Sequence, residues 1–404
     1  MNFTAKGKVA LGVLAAIAAC GVAAWIYQLM GGLSVTGMSN GVSWGLYIAC
    51  FMFLVGLSAG GLIVASSASI FHVKQYKQVA LPAIIVSTVC ITMAAMFVCI
   101  DLGGVQRVLN LLLSPNFTSP LMWDVCVISI YLILNIIYLV FMKKYGVDSH
   151  QVSIVSRFAL PTAILVHSVT AWIFGLEIAK EGWNSAIMAP LFVVSAMDSG
   201  LGLLLIVLAA LKKAKMFEVS RDLMANLAGL MCTCVAIDGF MVFCEVLTEA
   251  YNGTAMGSAI IGDMLFGATA PFFWTEIVLG VLVPFCVLVF AKNRQREGLV
   301  VFASACVVVG VFCKRVWLLF TSFLNFNVAG APGVSIGNAN VVYADGGMWM
   351  TIGSYLPTWT EFVIVAGMFA LGALAIMVMS KLLLGKQDAD ASPAAVGGAA
   401  PQGV

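Results

Sequence analysis

The sequence predicts an all-α polytopic membrane protein with about ten transmembrane helices, and three observations predict it. Of the 404 residues, 62% are hydrophobic and only 9% are charged, against about 25% charged in a soluble domain. Apolar segments of about 20 residues or more recur along the chain with short breaks, each long enough to cross a hydrocarbon core roughly 30 Å thick. Lys and Arg alternate between the breaks, crowding every second one. The near-neutral balance, +2, leaves no surplus of positive charge to neutralise phosphates, which argues against nucleic-acid binding. Mean hydropathy of +1.06 excludes disorder, and a β-barrel would alternate polarity over about ten residues.

The expected spans, in order, are 9–30, 42–70, 79–100, 121–142, 158–178, 185–211, 222–248, 269–291, 298–322 and 358–384. The first follows Lys6 and Lys8 and resembles a signal peptide. Its apolar run continues to about Met30 without a small-residue cleavage site, so a retained helix is expected. The boundaries near 178–185 and 249–269 are the least defined, and 185–211 is long enough to begin outside the membrane. Together residues 1–384 form one transmembrane domain. The Ala-, Pro- and Gly-rich segment 385–404 cannot build a core and is expected to be a disordered cytoplasmic tail.

Charge placement orients this array. With both termini on one side, that side carries nearly all loop Lys and Arg, including Lys143, Lys144, Arg157, Lys212, Lys213 and Lys215. The opposite loops carry Arg107 and Lys180. The positive-inside rule then puts both termini in the cytoplasm. The outward loops are the longer ones. Loop 323–357, rich in Gly and Asn, is the longest, so a soluble partner is expected to dock on the outward face.

The eleven cysteines lie mostly inside apolar runs, where cysteine behaves as a small hydrophobe, and no loop has metal-ligand spacing. Three histidines leave only His167 within the membrane, which argues against a bis-histidine haem. No nucleotide-binding glycine fingerprint is present. The chain is therefore expected to bind no haem, iron–sulfur cluster or metal, and electrons would reach it from a partner or a diffusible carrier.

Ionisable groups in a bilayer are costly and normally face protein, water or a ligand. One set comprises Asp101 at the outward end of span three, Arg107, Asp124 beside Trp123, and His167. His167 lies about 14 Å along span five, near mid-membrane. An imidazole flanked by carboxyl groups suits a redox head group that exchanges protons. A second set, Glu177, Asp198, Asp238, Glu245, Glu276, Lys314 and Arg315, spreads over spans five to nine. It reads equally as structural ion pairing or as a proton route. Gly56, Gly60, Gly200 and Gly202 allow close helix approach.

Three stretches carry a family resemblance: SNGVSWGLYIACFMFLVGLSAGG (39–61), DLGGVQRVLNLLLSPNFTSPLMWD (101–124) and HSVTAWIFGLEIAKEGWNSAIMAPLFVVSAMDSG (167–200). They resemble the NrfD/PsrC family, membrane subunits of quinone-linked oxidoreductases, over about residues 38–320. The ten-helix length is similar to the longer branch, which includes the membrane subunit of the periplasm-facing menaquinone reductase complex. This resemblance implies two four-helix bundles, spans two to five and six to nine, plus peripheral helices. It implies menaquinone or a related quinone bound near the outward face of the first bundle. Electrons would be exchanged with an extracytoplasmic ferredoxin-like iron–sulfur subunit, and beyond it a molybdopterin-type subunit or multihaem cytochrome c. Asp101 and His167 would be the quinone and proton groups, with Arg107 and Asp124 in support and Asn40, Gly41, Trp44 and Trp123 around the head group. Menaquinone reduction with proton uptake would conserve energy if protons came from the cytoplasm. The rival readings are an ion-coupled secondary transporter, for which Gly280 and Pro284 are the best sequence sign, and a passive anchor of a redox complex.

Overall fold

The computed structural model describes residues 5–70, 74–325, 341–343 and 350–384. Among the described residues, ten helices are long and apolar enough to cross a membrane. They are α1 (Ala5–Gly31), α2 (Leu46–Ile70), α3 (Ala80–Asp101), α4 (Pro120–Tyr145), α5 (His150–Gly175), α6 (Met188–Lys213), α7 (Arg221–Asn252), α8 (Ala270–Leu288), α9 (Glu297–Leu324) and α10 (Trp359–Leu383). A two-stranded antiparallel pairing of β1 (Val341–Tyr343) with β2 (Met350–Gly353), in register Val342↔Ile352, lies between α9 and α10. Residues 326–340 and 344–349 of that long loop and the 385–404 tail fall outside the described residues.

Local chemistry sets the helix ends. Pro120 opens α4, where its missing N–H costs nothing. Ser149 and Ser220 cap α5 and α7 by accepting from the N–H groups of Val152 and Leu223. Thr358 and Glu361 form a capping box at the start of α10. The second span starts at Leu46 rather than 42. Residues 36–45 instead form a turn in which Ser39 Oγ accepts from Val42 N–H at 3.0 Å and Val42 O accepts from Ser39 N–H at 2.9 Å. Between α7 and α8 the chain forms a short apolar helix, Ala255–Phe266, capped by Thr254.

Two rings of helices follow. α2 packs on α3 and α5, and α4 closes that ring against both. α6 packs on α7 and α9, and α8 closes the second ring. The rings meet along α2 and α6, with α5 and α9 contributing. Peripheral α1 and α10 pack on each other, and α10 also touches α3. Consecutive spans alternate in direction, so the lysine-rich loops share one face, here the basic face, where Lys77 pairs with Asp148 and Lys212 with Glu297. The turns after α1, α3, α5, α7 and α9 share the opposite face. α2 is buried along nearly its whole length, whereas Ile130, Ile133, Phe240 and Phe243 point outward, as lipid-facing side chains do.

The seam between the rings is a backbone contact. A Cβ built on Gly60 of α2 would lie 2.4 Å from Gly200 Cα of α6, and one on Gly200 would lie 2.4 Å from Gly60 Cα. A Cβ on Gly56 would meet nothing closer than Ser199 Oγ at 3.8 Å. Gly60→Ala and Gly200→Ala are therefore expected to push the bundles apart at a cost of about 1–3 kcal/mol. Gly56→Ala should be close to neutral, and thermal unfolding in detergent distinguishes them.

α8 is continuous but not regular. Its middle, Glu276–Leu282, is wound as a π-helix immediately before Pro284. Proline removes an N–H from the ladder, and the wider turn accommodates the loss. Its positional counterpart in the first ring, α4, is an unbroken α-helix.

Candidate quinone-exchange site and buried ion cluster

In the first ring, polar groups descend from the opposite face. Asp101 ends α3, and its Oδ1 is enclosed without a hydrogen-bond partner. Asp124, about 6 Å into α4, is buried and accepts a hydrogen bond from Thr170 Oγ1 of α5 at 2.6 Å. His167 lies one turn deeper on the same face of α5; it is buried and its Nε2 has no partner. An enclosed polar atom without a partner is rare and calls for water or a ligand. Arg107 lies in the exposed turn after α3, and Trp123 Nε1 donates to Phe117 O at 2.6 Å.

The mouth of this ring is aromatic. Trp44 stacks on Trp183 at 6.2 Å between centroids and meets Phe174 and Phe323 edge-on at 5.7 and 6.0 Å. Lys180 Nζ sits 5.1 Å from the Phe323 ring centroid and donates to Ser322 O at 3.2 Å. Burial lowers the Lys180 ammonium below the usual lysine range. Asn40 is exposed on the 36–45 turn and Gly41 is buried in it.

A second polar centre lies at mid-membrane, in and beside the second ring. Lys314 Nζ donates to both oxygens of Asp238 at 2.7 and 2.9 Å and lies 3.3 Å from Glu276 Oε1. Trp317 Nε1 donates to Glu276 Oε2. Arg315 donates through Nη2 to Ser195 Oγ at 2.6 Å, and its guanidinium lies 4.0 Å from the Phe192 ring centroid. Its Nε and Nη1 are enclosed without partners, as is Asp198 Oδ1. Arg315 is within electrostatic reach of Asp198, Asp238 and Glu276, and of His167 in the first ring. Two cations of α9 thus face three carboxyl groups of α6, α7 and α8 within the second ring.

The family description "Polysulphide reductase, NrfD" matches residues 34–327. The chain belongs to the NrfD family. A Halobacterium salinarum protein, named provisionally as a membrane subunit of dimethyl sulfoxide reductase, is 33% identical over 98% of this chain and 96% of its own length. The Hdr-like menaquinol oxidoreductase integral membrane subunit of Archaeoglobus fulgidus is 29% identical over 92% and 91%. A selenate reductase subunit of Mesobacillus selenatarsenatis is 26% identical over 76% and 80%. These relatives serve different complexes and do not single out the menaquinone reductase branch. Membership places the chain among membrane subunits of quinone-linked oxidoreductase complexes.

Within this NrfD fold, the structure sorts the residues singled out by sequence. It joins Asp124 to the helix face of His167, and joins Asp238, Glu276, Lys314 and Arg315 around one centre beside Asp198. Glu245 is set apart, accepting from Ser185 Oγ at 2.7 Å. Glu177 lies on an exposed turn after α5, away from the others. Sequence reasoning missed two groups. One is a fully buried network of Ser58, Ser87, Tyr131 and Asn135 in the first ring, where Ser87 Oγ donates to Asn135 Oδ1 at 2.8 Å and lies 3.0 Å from Tyr131 Oη. The other surrounds Asp101: Tyr47 Oη donates to Gln28 Oε1 at 2.6 Å, Gln28 Nε2 donates to Ile100 O at 3.0 Å, and Glu361 is buried nearby. Thr358-x-x-Glu361 was visible as a capping box, and Gln28 as a polar residue in an apolar run.

Proposed function

We propose that the chain is the quinone-reactive subunit of a respiratory complex, exchanging electrons between menaquinone or menaquinol and an iron–sulfur subunit on the opposite face. That face is extracytoplasmic in this reading, both termini are cytoplasmic, and the iron–sulfur subunit passes electrons to or from a molybdopterin-type subunit or a multihaem cytochrome. The observation that carries it is the pair of enclosed, unpartnered atoms in the first ring, Asp101 Oδ1 and His167 Nε2, with Asp124 between them in depth. A quinone ring supplies two oxygens that accept hydrogen bonds when oxidised and carry protons when reduced, which suits such groups. Asp101 would hold or release a proton at the mouth, His167 would do so deeper, and Thr170 would orient Asp124. The aromatic ring cluster around Trp44 would keep water from the head group while the isoprenoid tail remains in lipid.

Proton supply is the finer part of the proposal. The cluster of Asp198, Asp238, Glu276, Lys314 and Arg315 has one more carboxyl than cation. Through Arg315 it reaches His167. A proton entering from the basic face and leaving at Asp101 would make turnover electrogenic, with the menaquinone reductase branch as the working comparison. A transporter built on matched broken helices is less well supported, because α8 is continuous with a π-wound middle and its counterpart α4 is a regular α-helix. The test is gentle detergent purification, identification of co-purifying subunits and extracted quinone, and reconstitution in sealed liposomes. Quinone-linked turnover with charge movement is expected. A complex that retains no quinone and shows no quinone-dependent electron flow would overturn the proposal.

A further inference from the structure

The 36–45 turn, which carries Asn40, Gly41 and Trp44, is held at both ends by residues from the far end of the chain. At its start, Val35 O accepts from Thr358 Oγ1 at 3.0 Å and from Thr360 Oγ1 at 2.9 Å. Gly37 N–H donates to Glu361 Oε2 at 2.8 Å. At its end, Leu46 N–H donates to Tyr355 Oη at 2.7 Å, and Tyr355 Oη in turn donates to Glu361 Oε1 at 2.5 Å. One carboxylate therefore ties the start of the turn directly and its end through a single phenol. Glu361 is itself fixed, because Oε2 also accepts from Thr358 N–H at 2.9 Å in the α10 capping box.

Two glycines of the turn are explained by this contact. A Cβ on Gly37 would lie 2.1 Å from Leu356 O, and one on Gly45 would lie 2.6 Å from Tyr355 Oη. No side chain fits at either place while residues 355–356 are seated. Tyr355 is seated by its ring, which stacks on Phe320 of α9 at 4.7 Å and 14°. Burial, and then the Glu361 carboxyl, hold the Tyr355 phenol well above its ordinary pKa, so the hydroxyl stays protonated as a donor. Inside the turn, by contrast, the bonds are few: the Ser39–Val42 pair and Met38 N–H to Thr36 Oγ1 at 3.3 Å. The turn is shaped from outside.

We propose that Tyr355 and Glu361 are positioning residues of the quinone site: they clamp the 36–45 turn from α10 and so hold Asn40, Gly41 and Trp44 at the mouth of the first ring. The proposal rests on the quinone reading above. It concerns residues beyond the 34–327 segment that the family description matches, so the peripheral helix becomes part of the site and more than a membrane anchor. Neither side chain touches the head group; both act through the turn.

The experiment uses the intact complex carrying full-length chain, a short-tailed naphthoquinol as substrate and a hydroxyquinoline N-oxide as head-group competitor. Tyr355→Phe removes the shared hydroxyl and keeps the ring on Phe320. Glu361→Gln replaces the two-oxygen acceptor with one oxygen and a donor amide. Tyr355→Phe is expected to raise KM about tenfold, a loss of the order of one hydrogen bond's worth of affinity, with kcat within about twofold; Glu361→Gln should raise KM by a similar factor, and because Glu361 lies beside Asp101 its kcat should fall as well. The competitor should weaken by a similar factor. A purely structural role would reduce the amount of assembled complex or its kcat, and would leave KM and competitor binding as they were; that result overturns the clamp. If Glu361→Gln does not assemble, Tyr355→Phe decides alone. A wild-type complex with no saturable naphthoquinol dependence and no inhibition would instead sink the underlying quinone reading.

Discussion

Lys314→Met is expected to be among the most damaging single changes in the chain. It would leave Asp238 and Glu276 facing each other in the membrane interior with their shared ammonium gone. Breaking a buried ion pair from one side costs about 3–5 kcal/mol, because the remaining charge is left uncompensated. Arginine should not rescue fully: the site is closed, with Lys314 buried, and a planar guanidinium does not fit where a compact ammonium reaches three oxygens. Removing one carboxylate along with the cation should recover much of the loss, so Lys314→Met with Asp238→Asn is expected to unfold at a higher temperature than Lys314→Met alone. The same double variant should still lack charge movement in liposomes, since both ends of the central pair are gone. Thermal unfolding in detergent and charge movement during turnover separate these effects. Equal instability of the single and double variants would show that the pairing is not what holds the cluster together.

Asp101→Asn is the second large effect. The amide keeps the size of the side chain and a carbonyl acceptor, so the end of α3, held by Gln28 on Ile100 O, should remain in place. What disappears is a group able to take and give a proton at the mouth. General acid–base assistance of that kind is worth about 10²–10⁴-fold, and quinone-linked turnover should fall by about that much. Electron entry into the iron–sulfur subunit from an artificial donor should be unchanged. A wild-type quinone-linked rate in assembled Asp101→Asn complex would remove Asp101 from its proposed role.

The architecture was largely legible because a bilayer demands long apolar helices, and runs such as 79–100 and 298–322 admit no other reading. Helix starts were less legible. Val42 and Leu46 are both aliphatic with the Trp44 ring between them, so hydropathy extends the second span back to 42, whereas Gly45 pressed against Tyr355 and the Ser39 turn begin it at Leu46. The π turn of α8 left its mark in the sequence as Gly280 and Pro284. At the site, Asp124 and His167 stand out as polar residues in apolar runs, and their helix spacing puts them at workable depths. Pairing did not follow from the sequence. Lys314 and Asp238 are 76 positions apart, and Gly37 and Glu361 are 324 apart; no periodicity links such residues. Glu177 looked membranous because Ile173–Leu176 precede it, but α5 ends at Gly175 and the next residues turn outward.

The position of the quinone ring decides between these readings. Photolabelling of the intact complex with an azido-naphthoquinone, followed by peptide mapping, tests it most directly. Label competed by excess unlabelled quinol is predicted in the 36–45 turn and the first residues of α2, in 101–124 and in the stretch from His167 to Trp183. Competable label confined to the second ring, α6 to α9, or label that excess quinol does not displace, would contradict it.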